Sequence, residues 1–259
     1  MLRGAAASAG LATVDLGPRW WEASSDRDTV ATAWRVPTGA AALGAWSGSP
    51  LALAAAPPTW LTRRAAGVLG GRRLAVVTAA DLAAGRVPFE VRSVKPAVLK
   101  VRWLPAQRVA DTSAAAEVVA AAGVPGSLSL LVADGWLTCE SEYRVFCVGR
   151  DVAAWSPYRI EDEGWSAELF LHRASWHDDA ARFAAAVLAD AAEDDVPPAC
   201  VLDIARLTDG RFAVLETNTA WAAGLYGCDP VAVLRAVLAA QNPADAGWLF
   251  DPGDRLPFS

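Results

Sequence analysis

The stretch "VLDIARLTDGRFAVLETN", Val201 to Asn218, constrains the fold of this chain more than any other. Two apolar runs flank Asp209-Gly210, a dipeptide suited to the positive φ angles of a tight hairpin turn. With those two residues as the turn, Thr208 faces Arg211, Asp203 faces Glu216 and Val201 faces Asn218. Alternation then puts Asp203, Glu216 and Asn218 on one face of the ribbon. Directly opposed Cβ atoms stand roughly 4.5–5.5 Å apart, where two like charges destabilise the pair. The neighbours Leu202, Ile204, Val214 and Leu215 are apolar, so little water screens the repulsion. Compensation can come from a proton shared between the acids, from a base such as Arg206 or Arg211, or from a divalent cation. Two carboxylates and an amide oxygen form an all-oxygen donor set, suited to Mg²⁺ held partly through phosphate oxygens.

Around this hairpin the pattern is that of an α+β protein with mostly antiparallel sheets. "RLAVVTAADL" reads as a strand passing into a helix near Thr78, and "PFEVRSVKPAVLK" as a strand stopped by Pro96. Asp111 or Thr112 begins a helix that Gly123 ends. "SLSLLVADGW" is a buried strand, and "CESEYRVFCVGRDVAAWS" gives two strands about a turn near Gly149. A long amphipathic helix is expected from about Asp178 to Asp194, and a last one after Asp229, with Pro230 at its first position. Residues 1 to about 85 carry weaker signals, among them the strand-like "TAWRVP". The sharpest change lies near Gly85 to Pro88, dividing a small α/β domain, 1–86, from a second domain, 87–259.

Composition narrows the function classes. With 54% hydrophobic and 20% charged residues the chain is globular rather than disordered. A net charge of −6 without any long Lys/Arg run argues against nucleic acid or a membrane as partner. No stretch reaches the ~18–20 apolar residues of a bilayer span, and "MLRGAAASAGLATV" is too short and Ala/Gly-rich for a signal peptide, so a cytoplasmic protein is expected. Cys139, Cys147, Cys200 and Cys228 form no CxxC pair and read as thiols in a reducing compartment. His172 and His177 are too far apart to share a helical face and suit a loop or cap. Trp20, Trp21, Trp103 and Trp221 are expected in the core. No Ser/His/Asp or Cys/His constellation is present, so no side-chain nucleophile is expected.

Asp203, a hairpin and then "LETN" resemble the C-terminal signature of the ATP-grasp superfamily. In that family an acid and a Glu-x-Asn hold the magnesium ions that bridge the ATP phosphates. "VRSVKPAVLK" is similar to the strand whose lysine contacts those phosphates, and "LLVADGW" stands where the hinge grips the adenine. "ESEYRVFCVGRDVAAWSPY" resembles the Glu-x-Arg-x-Phe strand of the clade named for two arginines and a lysine, with Glu142, Arg144 and Phe146 in place. The similarity runs over roughly residues 88 to 241. It departs from the family in having no Gly-rich loop after Lys95, where "PAVLKVRWLPAQ" would have to serve. Arg159 and Arg173 are both candidates for the second arginine.

The resemblance implies an ATP-grasp fold of two α+β subdomains gripping a nucleotide, preceded by the small α/β N-terminal domain. It implies ATP and Mg²⁺ as cofactors, with Asp203, Glu216 and Asn218 as metal ligands. Nucleotide contacts would come from Lys95, Lys100, Val132, Asp134, Glu142 and Arg144, and catalytic contacts from Arg144 and Lys100. The implied activity is an ATP-dependent ligase joining a small-molecule or peptide carboxylate to an amine or thiol through an acylphosphate. A homodimer is one assembly this reading allows. The alternatives are a module of the same fold that binds nucleotide or peptide without catalysis, and a structural protein whose acids are salt-bridged.

Overall fold

Period-two alternation in the second half of the chain produces a five-stranded antiparallel sheet. In the computed structural model, residues 1–13, 35, 41, 42, 45, 51–98, 103–160, 163–164 and 174–253 are described. They contain helices α1 (Leu2–Ser8), α2 (Thr59–Thr62), α3 (Ala79–Ala83), α4 (Thr112–Ala121), α5 (Ala174–Ala189) and α6 (Pro230–Ala239). The strands are β1 (Leu74–Thr78), β2 (Ser93–Pro96), β3 (Gln107–Arg108), β4 (Ser129–Ala133), β5 (Cys139–Val148), β6 (Asp151–Ile160), β7 (Glu163–Gly164), β8 (Ala199–Leu207) and β9 (Phe212–Asn218). Two compact units result: residues 1–56 with 139–251, and residues 57–138 with 252–259. Residues 86 and 87, either side of the junction expected from sequence, both fall within the second unit.

The second unit carries a four-stranded sheet in the order β1-β4-β2-β3, each neighbouring pair antiparallel. Thr78 ends β1 and caps α3 by accepting from the Asp81 backbone N–H, as the sequence had suggested. Asp111 caps α4 in the same way through Ala114, and Gly123 follows with φ +63°. Val94, Leu130, Val132, Ala115 and Val119 supply its buried core. Trp103, expected inside, is 47% exposed and lies in a turn between strands. Trp20 and Trp21 lie outside the described residues.

In the first unit the sheet order is β7-β6-β5-β8-β9. Both faces of β8 are covered, so eight of its nine positions are buried. One face meets α5, where Phe183 tilts against Phe212, and Phe212 against Tyr143. The other face carries Phe146 and Val201 against Val233, Ala236 and Val237 of α6. The segment around Leu53 and Ala54 is laced to the end of the unit: Ala54 N–H donates to Ala240 O and Ala55 N–H to Trp248 O, both at 2.8 Å. Trp221 is fully buried there, donating Nε1–H to Ala54 O at 2.8 Å and meeting Phe250 edge-on. Cys147 and Cys200 stand opposite each other across β5 and β8 as free thiols. Their mutual hydrogen bond and their burial push the Cys147 thiol up.

Helix α5 begins before Asp178 and ends at Ala189, short of the expected Asp194. The acids Asp190, Glu193, Asp194 and Asp195 oppose the negative end of a helix dipole, so the helix stops ahead of all four. Its terminal carbonyls are taken up by Arg150, from the turn between β5 and β6. Arg150 donates to Leu188 O at 2.6 Å, Ala189 O at 3.1 Å and Ala191 O at 2.8 Å. Arg150→Ala is expected to lower stability by about 1–2 kcal/mol, since a charged donor to three carbonyls is lost. Urea denaturation of the two proteins measures the difference, and a change below about 0.3 kcal/mol would show that water serves those carbonyls equally well.

Candidate functional site

The hairpin that carries the two acids reaches the expected pairing by a different route. Leu207 N–H donates to Arg211 O at 2.8 Å and Gly210 N–H to Leu207 O at 2.9 Å. The loop is therefore the three residues Thr208, Asp209 and Gly210, with Gly210 at φ +86° as a left-handed third position. Thr208 does not face Arg211; it belongs to the loop, because the Asp209 side chain accepts from Arg211 N–H and closes a wider turn. Pairing then runs Arg206–Phe212, Ala205–Ala213 and Ile204–Val214, one residue off the expected register. A bulge at Leu215 restores it, giving Asp203–Glu216, Leu202–Thr217 and Val201–Asn218. Each arm gives up one residue, so the far ends meet as expected.

The bulge answers why an apolar strand ends in polar side chains. Phe212 and Val214 face α5 and the apolar core beneath it. Unbroken alternation would send Glu216 and Asn218 to that same face. The extra residue at Leu215 reverses the facing, and Glu216 and Asn218 join the face of Asp203.

Asp203 is 1% exposed and stands opposite Glu216 on one side and Arg144 of β5 on the other. Arg144, 7% exposed, grips it with two hydrogen bonds, Nε to Oδ1 at 3.0 Å and Nη2 to Oδ2 at 2.8 Å. Burial alone would lower the pKa of this guanidinium, but the hydrogen bonds and charge of Asp203 outweigh it and raise it. The rings of Tyr158 and Tyr226 stack on each other, with centroids 5.2 Å apart. Both lie close to the Arg144 guanidinium carbon, at 5.3 and 5.0 Å from the ring centroids. Tyr226 holds φ +50°, unusual for a bulky side chain, in the loop between β9 and α6 that also offers Gly224 O to Arg144 at 3.5 Å.

Asn218 joins the acids. Its amide nitrogen donates to Asp203 Oδ2 at 2.8 Å and to Glu216 Oε1 at 3.0 Å. One atom thus reaches both carboxylates at once, and Glu216 and Asn218 remain partly open to solvent. The two carboxylates are thereby close enough together for a small hard cation bound by oxygen, toward which the Asn218 amide would turn its oxygen in place of its nitrogen. Among the described residues no three His, Cys, Asp or Glu gather as a metal cluster. Two acids and an amide would leave most of an octahedral shell to water and phosphate, as Mg²⁺ prefers.

The other expected residues are spread over both units. Glu142 accepts from the Tyr158 hydroxyl and is ion-paired with Arg159, its partner across β5 and β6. Burial, then the charges of Asp203 and Glu142, push the Tyr158 hydroxyl up, so it stays a neutral donor. Arg206 pairs with Glu140 and Arg211 with Asp209, so neither compensates Asp203; Arg144 does. In the second unit Lys95 lies on β2 opposite Leu131, and Val132 is buried on β4 between Ala75 and Val94. Asp134 accepts from Arg73 N–H at 2.7 Å and from Arg73 Nε at 2.6 Å. Lys100, Arg173 and His172 lie outside the described residues; His177 falls within α5. Tyr158 and Tyr226 were missed as site residues, although Tyr158 ends the quoted "ESEYRVFCVGRDVAAWSPY".

Burial raises the Asp134 carboxyl, but the Arg73 hydrogen bonds and charge outweigh it and leave the pKa below 3.8. A depressed folded-state value contributes stability above the unfolded pKa and loses it as pH falls through the folded one. The stability difference between the wild type and Asp134→Asn is therefore expected to be constant above about pH 5 and to shrink in more acidic buffer. A difference that grew on acidification would contradict the pairing.

A family model for the ATP-grasp domain, second family of the clade named for two arginines and a lysine, matches residues 70–236. Among solved structures, D-cycloserine synthetase DcsG is 16% identical, with 92% of each chain covered and a TM-score of 0.44. A RimK domain protein ATP-grasp from Sphaerobacter thermophilus is 17% identical over 92% of this chain and 90% of its own, with a TM-score of 0.43. The ATP-grasp ligase PsnB, complexed with precursor peptide PsnA2 and AMPPNP, is 20% identical over 66% of this chain, with a TM-score of 0.35. The match spans about half of the PsnB chain, 52%. No curated protein matches significantly.

Proposed function

Because the chain belongs to the ATP-grasp superfamily, in the clade named for two arginines and a lysine, we propose that it is an ATP- and Mg²⁺-dependent ligase joining a carboxylate to an amine or thiol. The observation that carries this reading is the close approach of the Asp203 and Glu216 carboxylates, both within hydrogen-bond reach of the Asn218 amide. In the reaction, a substrate carboxylate oxygen attacks the γ-phosphorus of ATP, releasing ADP and leaving an acylphosphate. The amine or thiol then attacks the acyl carbon, phosphate departs, and the nucleophile's proton passes to solvent. When bound, Mg²⁺ would neutralise the phosphate oxygens.

The chain's own residues prepare that site. Asp203 and Glu216 hold negative charge at fixed positions, and Asn218 presents an amide between them. Lys95 and Lys100 are proposed to meet the phosphates, and the segment of Val132 and Asp134 to border the adenine. Glu142, held by Tyr158 and Arg159, is proposed to line the nucleotide side of the sheet. Arg144, proposed from sequence for catalysis, contributes through the site it shares with Asp203. The substrates proposed are a small molecule or peptide bearing the carboxylate and an amine acceptor. Among the described residues no helix is long and apolar enough to cross a membrane.

ADP with Mg²⁺ is expected to raise the melting temperature of the wild type, and EDTA or Glu216→Ala to remove that rise. An unchanged melting temperature in the wild type would defeat the nucleotide reading. Phosphate release on adding amino acids or short peptides with ATP separates a ligase from a module that only binds.

A further inference from the structure

Arg144 is the most enclosed charged partner of the site. It is 7% exposed, bonded through two nitrogens to a carboxylate that is 1% exposed, and set beside two stacked tyrosine rings. Its third donor, Nη1, points to Gly224 O at 3.5 Å. Strand register fixes both ends of the pair, since Arg144 and Asp203 are direct partners across β5 and β8. An arginine that receives a phosphate needs its fork turned toward the ligand. Here the fork is turned onto Asp203.

We propose that Arg144 is a positioning residue: it acts through Asp203, fixing the orientation in which that carboxylate is aimed at the cation, and does not itself touch the nucleotide phosphates. This rests on the metal-nucleotide reading above. The two-pronged bond sets the rotation of the carboxylate. Oδ2 is then the oxygen shared with Asn218, the one that faces Glu216. Tyr158 and Tyr226 lie beside the guanidinium and crowd its other rotamers, and Tyr158 is itself tied to Glu142. The network behaves as the outer support of a metal ligand, whose loss typically weakens metal affinity about 10–100-fold.

The test is ADP binding by titration calorimetry on the full chain, in Mg²⁺ and separately in EDTA. Arg144→Lys keeps the charge and loses the two-pronged bond. It is expected to leave ADP affinity in EDTA within about twofold of wild type, while the gain in affinity conferred by Mg²⁺ falls about tenfold or more. Weakening of equal size in EDTA and in Mg²⁺ would overturn the proposal, because it would place Arg144 on the phosphates. The second measurement uses an Asp203→Asn background, where adding Arg144→Lys is expected to cost no further affinity. An additive loss there would also overturn it. If the wild type gains no affinity from Mg²⁺, the metal-nucleotide reading itself has failed, a result obtained without any variant. A manganese titration followed by electron paramagnetic resonance, with ADP present, gives an independent reading: weaker Mn²⁺ binding in Arg144→Lys supports the proposal, and unchanged binding rejects it.

Discussion

Replacing Asp203 by alanine is expected to lower the unfolding free energy by about 3–5 kcal/mol, the cost of leaving a buried charge without its partner. Both members of the pair are enclosed, with side-chain exposures of 8% for Arg144 and 1% for Asp203, so water cannot replace the lost carboxylate. The cavity adds to the loss, and the Asn218 amide loses one of its two acceptors. Removing both charges should behave differently. A buried ion pair returns little net stability over well-packed apolar residues, because its attraction is offset by the cost of taking two ions out of water. The double variant Arg144→Met with Asp203→Leu is therefore expected to recover stability to within about 1 kcal/mol of wild type. It should not recover Mg²⁺-dependent nucleotide binding. Urea denaturation of the wild type, Asp203→Ala and the double variant measures both effects. A loss below about 1 kcal/mol for Asp203→Ala would mean that the pair is not formed in solution.

Trp221→Ala should cost a similar amount, about 3–5 kcal/mol, for another reason. The indole is fully buried among the residues of α6 and the segment around Ala54. Truncation opens a large cavity, removes the edge-on contact with Phe250 and orphans the Ala54 carbonyl. Trp221 follows the Glu-x-Asn motif by three residues, so its loss also frees the root of the loop that carries Gly224 and Tyr226. The measurable consequence is local as well as global. Hydrogen exchange of the Ala54 and Ala55 amides, which bond to Ala240 and Trp248, should quicken more than that of β5. Uniform acceleration across the unit would show that Trp221 contributes to packing alone.

Local signals in the sequence were readable because their causes are local. The Thr78, Asp111 and Asp229 caps each depend on a side chain and a backbone N–H two or three residues away. Facing of the acid pair was also legible, although the route was misjudged. A tight turn at Asp209-Gly210 and a three-residue loop cancelled by a bulge give the same far end, and only the strand between them differs. Nothing local marks Leu215 as the extra residue; its conformation follows from Phe212 and Val214 needing one face and Glu216 the other. The Arg144–Asp203 bond was out of reach for a further reason. It depends on how β5 pairs with β8, a register set by two hydrogen-bonded ladders and two covering helices rather than by any turn. The end of α5 was misplaced because the apolar pattern runs on, whereas the acids and Arg150 decide where the helix stops. Trp103 shows the limit of hydrophobicity as a guide, since an apolar side chain in a turn between strands is placed by the turn and not by its own hydrophobicity.

The first unit is discontinuous in sequence, with residues 57–138 set between its two parts. During synthesis this has a cost in time. Leu53 and Ala54 leave the ribosome long before Gln241 and Leu249, their bridge partners, and before Trp221, which caps Ala54. At about 5–20 residues per second the early segment waits roughly 10–40 s for them. The β1-β4-β2-β3 sheet, which lies wholly within residues 57–138, has no such delay and can pair as it emerges, while the apolar segment before it is still waiting for its partners.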